Sequence, residues 1–137
     1  MQRPAQRKMK IEVPLSVKRI LETYTAISTP SGYQVFSYIC EDDVPHTGGE
    51  IKDRFGMSGT TLYTYLREFE RLGLVGRESE KNLATYRRTD FGYTIMQNVQ
   101  RLAESVKDRM VSERLQDMQG LSEKEKQDLE ELIRKGL

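Results

Sequence analysis

Leu62, Tyr65, Leu66 and Phe69 recur at helical spacing, so they mark the inward side of a helix and leave Thr60, Tyr63, Thr64, Arg67 and Arg71 along the other. An outward guanidinium such as that of Arg67 can donate twice to guanine O6 and N7, a contact that discriminates between bases by roughly 1–3 kcal/mol. Thr60, Tyr63 and Thr64 suit phosphate oxygens or a thymine methyl, and Ser58 and Thr61 complete the candidate set at the start of the same helix. Further along, Arg77, Lys81, Asn82, Arg87 and Arg88 offer phosphate or minor-groove contacts. The competing reading of each is a helix or strand face turned to solvent or to another protein.

Catalytic chemistry has much less to stand on. His46 is the sole histidine, and Cys40 lies on an apolar helical face, far in sequence from any partner that would activate it. A buried structural thiol is the expectation there. Asp42, Asp43 and His46 supply too few ligands at recognisable metal spacing and read as a solvated loop. Gly48-Gly49 follows no predicted strand, so it is not a phosphate-cradling loop. Neither an enzyme nor a bound cofactor or metal is expected.

The elements that must position the candidate residues follow from caps and periodicity. Thr47-x-x-Glu50 is a capping box opening a helix that carries Ile51 and Phe55 inward. Gly56-Met57-Ser58 breaks that helix and caps the next, which Gly73 ends. Leu74-Val75-Gly76-Arg77 and Thr85-Tyr86-Arg87-Arg88 read as two strands around a polar stretch from Glu78 to Ala84. Upstream, Val17, Ile20, Leu21, Tyr24 and Ile27 form a helical stripe that Thr29-Pro30-Ser31 interrupts, and Val35, Phe36, Ile39 and Cys40 face one way on a second helix. Downstream, Thr89-Asp90 caps a long helix with Phe91, Ile95, Val99, Leu102, Val106 and Met110 on one stripe. Ser122-x-x-Glu125 then opens a last helix bearing Leu129, Leu132 and Ile133.

Composition sets limits on this reading. With 137 residues, 36% hydrophobic and 31% charged, one compact domain plus appended helices is expected. No apolar run approaches the roughly 20 residues of a membrane span, and Met1 to Lys10 lacks the apolar middle of a signal peptide, so a cytoplasmic protein with no membrane partner is expected. The formal net charge is only +1, but Arg3, Arg7, Lys8 and Lys10 crowd the start while the last third holds many acids. Local charge, rather than the total, is what neutralises phosphates. The division expected is a basic arm over 1–12, an N-terminal packing helix over 13–30, a helix-turn-helix with a hairpin wing over 31–92, and two helices over 93–137.

The order of pieces resembles MarR-type regulators. Ile27 to Phe36 is similar to that family's entry into its first domain helix, Glu50 to Ser58 to its first helix and turn, and Leu62 to Val75 to its recognition helix and exit. Thr89-Asp90-Phe91-Gly92 resembles its post-wing signature, and Leu121 to Glu125 the start of its terminal dimer helix. Lys52 stands where a small residue is usual, Arg88 where a core leucine is usual, and Glu80-Lys81-Asn82 where the wing commonly has Asp-x-Arg.

Together these readings lead to a mainly helical protein with a small β-hairpin wing, a winged helix-turn-helix flanked by N- and C-terminal dimerisation helices. The function expected is sequence-specific binding of double-stranded DNA by a homodimeric transcriptional regulator on a pseudo-palindromic operator. Ile20, Tyr24, Val99, Leu102, Val106, Met110, Leu129, Leu132 and Ile133 are the expected dimer residues, because one small domain cannot cover so much apolar surface. The resemblance leaves room for a small-molecule effector whose chemistry the residues do not specify. Rival readings are a winged-helix protein-interaction or architectural subunit, and a replication or plasmid-maintenance DNA binder.

Overall fold

A computed structural model describes residues 12–118 and 120–137. The expected basic arm lies outside the described residues except for Glu12. The element order is α1 (Leu15–Ala26), α2 (Pro30–Cys40), β1 (His46–Thr47), α3 (Gly48–Phe55), α4 (Gly59–Arg71), β2 (Val75–Glu80), β3 (Leu83–Arg88), α5 (Asp90–Gln116) and α6 (Glu123–Lys135). Two compact units result, Met1–Gly92 and Tyr93–Leu137.

Side-chain caps start most of the helices. Thr29 accepts from the Gly32 amide at 3.0 Å with Pro30 in the first turn, so Thr29-Pro30-Ser31 begins α2 rather than merely interrupting a stripe. Thr47 accepts from the Glu50 amide at 3.1 Å and Ser58 from the Thr61 amide at 3.2 Å. Between them Gly56, at φ 61°, adopts the left-handed conformation that stops α3 and lets α4 set off in a new direction. The core of this unit is formed by Val35, Phe36 and Ile39 of α2, Ile51 of α3, and Leu62, Leu66 and Phe69 of α4, all fully buried. The Phe36 and Phe69 rings meet at 5.6 Å in a tilted arrangement.

The wing differs from expectation in two ways. β2 runs three residues and β3 two residues further toward each other than the sequence suggests, pairing from Val75↔Arg88 to Glu80↔Leu83, so the loop is only Lys81-Asn82. Both residues have positive φ, 51° and 64°, as a two-residue hairpin turn that matches strand twist requires. A third strand, β1, adds to the outer side of β3 through His46↔Tyr86 and Thr47↔Thr85, giving the order β1-β3-β2.

One junction closes the base of the hairpin. The Thr89 hydroxyl lies 2.6 Å from the Gly73 carbonyl and 3.1 Å from that of Leu74, and it accepts from the Gly92 amide at 2.9 Å to cap α5. Gly92 comes so close to β2 that a Cβ there would stand 2.0 Å from the Leu74 carbonyl oxygen.

The second unit holds most of α5 and all of α6. Arg134 of α6 reaches Asp108 of α5 at 2.6 Å, and Ser122 caps α6 through the Glu125 amide at 3.2 Å. The stripe expected on α5 divides. Ile95 is buried and Val99 half-buried, but Leu102 and Val106 are more than half exposed and Met110 is exposed. Met96 and Val111, outside the expected stripe, are buried instead. On α6, Ile133 is buried, Leu129 half-buried and Leu132 exposed.

Gly92→Ala is expected to destabilise the protein by at least roughly 1–3 kcal/mol, because the Leu74 backbone it strikes cannot swing aside. Gly49→Ala, where an added Cβ meets nothing within 4 Å, is expected to leave stability unchanged or raise it. Urea midpoints of the two variants measured side by side test the contrast.

Candidate nucleic-acid interface

Side chains from α4 and the wing converge on one open groove of about 940 Å³. Thr60, Tyr63, Arg67 and Glu70 of α4 line one side, Arg77, Asn82 and Leu83 of the hairpin the other, and Gly48, Gly49 and Tyr86 lie at its α3 end. Of the residues expected from sequence, Thr60, Tyr63, Arg67, Arg77 and Asn82 are therefore brought together. Arg67 donates from Nε to the Tyr63 carbonyl at 3.3 Å, which anchors the guanidinium against its own helix. Neither Arg67, Arg77 nor Lys81 forms an ion pair among the described residues. Lys81 sits exposed at the wing tip.

The remaining candidates are committed within the protein. Ser58 donates to the Thr61 hydroxyl at 2.9 Å as well as capping α4, so both serve the helix start. Thr64 donates back to the Thr60 carbonyl at 2.8 Å. Arg71 pairs with Glu68 at 2.6 Å and with Glu22 of α1 at 3.2 Å, while Arg19 of α1 donates to the Arg71 carbonyl at 3.2 Å. Arg71 thus clamps α4 to α1, and its hydrogen bond holds the Glu68 carboxyl below the usual range. In the wing, Arg87 lies 3.2 Å from the Asp43 carboxylate and donates to the Asp43 carbonyl at 3.1 Å. Arg88 is half-buried and donates to the Cys40 carbonyl at 2.9 Å. That contact is how an arginine fits where the resemblance led us to expect a core leucine. The side chain of Lys52 is exposed and needs no such accommodation.

The loop ahead of α3 is also not simply solvated. His46 is only 6% exposed, with Nε2 2.8 Å from Asp42 and Nδ1 3.0 Å from Glu50. The Tyr38 hydroxyl donates to the same Glu50 oxygen at 2.9 Å. Burial alone would lower the His46 pKa, but the bonds to Asp42 and Glu50 outweigh it and raise the group above its ordinary value. Those from His46 and then Tyr38 hold the Glu50 carboxyl below its usual range. Glu50 also bonds the Thr47 backbone, as the capping box led us to expect, so its carboxylate serves the helix start and these two side chains together. Sequence reasoning missed this cluster, and the only signal was the i, i+4 spacing of Asp42, His46 and Glu50.

No family model and no curated protein matches the chain. Solved structures do match its fold. HlyU from Vibrio cholerae gives a TM-score of 0.57 at 18% identity, covering 66% of this chain and 97% of its own. This chain has the winged helix-turn-helix fold. A winged helix-turn-helix DNA-binding domain from Mycobacterium bovis, described as homodimeric and as a possible ArsR-family transcriptional regulator, gives 0.58 at 19% identity over 76% of this chain and 91% of that one. NolR from Sinorhizobium fredii gives 0.55 at 14% identity, over 74% and 96% respectively. At these identities the likeness is one of fold. Of these three, the one described with a family name carries ArsR where the sequence resemblance implied MarR.

Cys40, 3% exposed, has its thiol pushed up to about 12, chiefly by burial and against the pull of Arg88. As the only cysteine, it should resist iodoacetamide in the native protein near neutral pH and react fully once urea unfolds the chain. Rapid labelling of the folded protein would contradict its burial.

Proposed function

We propose that this protein is a sequence-specific double-stranded DNA-binding transcriptional regulator that acts in the cytoplasm as a homodimer on a pseudo-palindromic operator. The observation that carries the reading is the shared groove, where Thr60, Tyr63 and Arg67 of α4 face Arg77 and Asn82 of the wing. In this reading α4 enters the major groove, with Arg67 on a base edge and Tyr63 and Thr60 against phosphate or a thymine methyl. Arg77, Lys81 and Asn82 track the adjacent backbone, and Glu70 repels phosphate from the far end of α4. The similar folds support it, since one is described as a homodimeric DNA-binding domain. They also favour an ArsR-type over a MarR-type relationship.

The self-association part rests on exposed apolar side chains. Leu15, Val17, Ile20 and Leu21 of α1 are exposed, as are Leu102, Val106 and Met110 of α5 and Leu132 of α6. Tyr24, also expected at the interface, is half-buried, and the fully covered positions of that segment are Thr23 and Ile27. Apolar surface left in water costs roughly 25 cal/mol per Å², and a second copy is the natural cover because two recognition helices can then read half-sites roughly 34–36 Å apart.

Arg67→Ala should weaken binding to a selected operator far more than to random duplex. Arg77→Gln with Lys81→Gln should weaken both alike and flatten the salt dependence by roughly 0.9 log-log unit per lost phosphate contact. Equal loss on both kinds of DNA for Arg67→Ala would remove its base-reading role, and unchanged binding to both would favour a protein partner for α4.

Leu102→Asp with Val106→Asp alters side chains already in water, so the chain should stay folded while sedimenting as a monomer and losing tight operator binding. Unmodified protein that is monomeric at micromolar concentration and binds a single half-site with full affinity would overturn the dimer.

A further inference from the structure

The protonation state of His46 follows from its two partners. A neutral imidazole has one N–H, and an ionised carboxylate only accepts. With Asp42 at 2.8 Å from Nε2 and Glu50 at 3.0 Å from Nδ1, both contacts are hydrogen bonds only when both nitrogens carry protons. The Asp42 and Glu50 side chains are each about half exposed, whereas the imidazole between them is buried, and the Glu50 carboxyl is held below its usual range. Loss of one proton must therefore release one carboxylate.

What that release would disturb is the α3 end of the groove. His46 pairs with Tyr86 across β1 and β3, and the next residue, Thr47, caps α3. Gly48, Gly49 and Tyr86 all line the groove, and the Tyr63 hydroxyl lies where a Gly48 side chain would begin, 2.7 Å from that Cβ position. From α2, Tyr38 bonds Glu50 and sets its ring 4.9 Å from the imidazole. Asp43 beside the cluster is held by Arg87 of β3, and Arg54 of α3 acts on Tyr38. The imidazolium is thus the centre of a tether from the end of α2, across β1, to the first turn of α3.

We propose that protonated His46 is a positioning residue that holds the α3 end of the groove in the shape that accepts DNA, so that DNA affinity falls as His46 loses its proton. The proposal rests on the DNA-binding reading above. Its sign follows from a native pKa raised above the ordinary 6.5: the tether is fully present below that value and is lost as pH rises through the higher native one. Cys40 titrates too high to contribute, and no other histidine exists.

The test uses the full chain and the duplex it enriches from a random-sequence library at about pH 6, with affinity then followed to about pH 9 at fixed salt. Wild-type affinity should fall about threefold to tenfold, the net scale of one ordinary hydrogen bond, since only part of the tether is lost. His46→Gln should give a flat profile. Glu50→Gln is the decisive variant, because its amide nitrogen, placed where that shared oxygen stands, has one N–H for the bare Nδ1 of a neutral imidazole and one for the Tyr38 hydroxyl oxygen, whereas its carbonyl in that place accepts from both at low pH. It should match wild type at low pH and bind more tightly than wild type at high pH. A constant factor between the two at every pH would report only the removal of a negative charge near DNA and would overturn the proposal, as would a His46→Gln profile parallel to wild type. In DNA-free protein the amide resonances of Gly48, Gly49 and Tyr86 should titrate together with the imidazole, and their failure to do so also overturns it. That NMR readout decides the positioning role even if no duplex is enriched, an outcome that would sink the DNA-binding reading alone.

Discussion

The Leu74 carbonyl is the point on which the winged arrangement turns. It ends the stretch leaving α4, accepts from the Thr89 amide at 3.3 Å, lies 3.1 Å from the Thr89 hydroxyl, and lets only a hydrogen approach from Gly92. Because Thr89 also caps α5, the exit of α4, the root of the hairpin and the start of α5 are joined through a few backbone atoms. A two-stranded ribbon has little stability of its own, so it can stand beside α4 in one pose only if its base is pinned in this way. Strand β1 supports the other side through Tyr86 and brings the start of α3 with it.

Within that frame the distribution of positive charge is selective. Three of the arginines that looked available are held by groups far along the chain: Arg71 by Glu22, Arg87 by Asp43, and Arg88 by the Cys40 carbonyl. Those that remain around the groove, Arg67, Arg77 and Lys81, are fewer but better placed for one continuous ligand. An exposed ion pair adds little stability by itself, yet it fixes where a long side chain points and so decides which cations stay on offer.

The helices and their caps were legible because their signals are local. Thr47, Ser58, Thr89 and Ser122 each satisfy an amide within three residues, and the inward face of α4 follows from spacing alone. The longer wing was not legible, since Glu78, Ser79 and Glu80 carry no apolar alternation and Lys81-Asn82 lacks the glycine that usually announces such a turn. Strand β1 is too short to have a pattern. The internal partners of Arg71, Arg87 and Arg88 were not legible for a related reason: the phase of a helix or strand shows which way a side chain leaves the backbone, not which acid or carbonyl forty or more residues away meets it. The partners of His46 were missed because capping α3 gives no hint that the Glu50 carboxylate also accepts from an imidazole and a phenol.

The clamp between α1 and the end of α4 alters what ionic strength does to this molecule. Arg71 reaches Glu22 with both side chains half in water, so added salt weakens that pair at the same time as it screens any phosphate. The helix proposed to meet DNA and a helix that carries exposed leucines are therefore joined by a screened spring. On the proposed DNA-binding reading, counting displaced counterions from the slope of affinity against salt would overstate the phosphates touched wherever that joint is coupled to binding, because part of the slope would belong inside the protein.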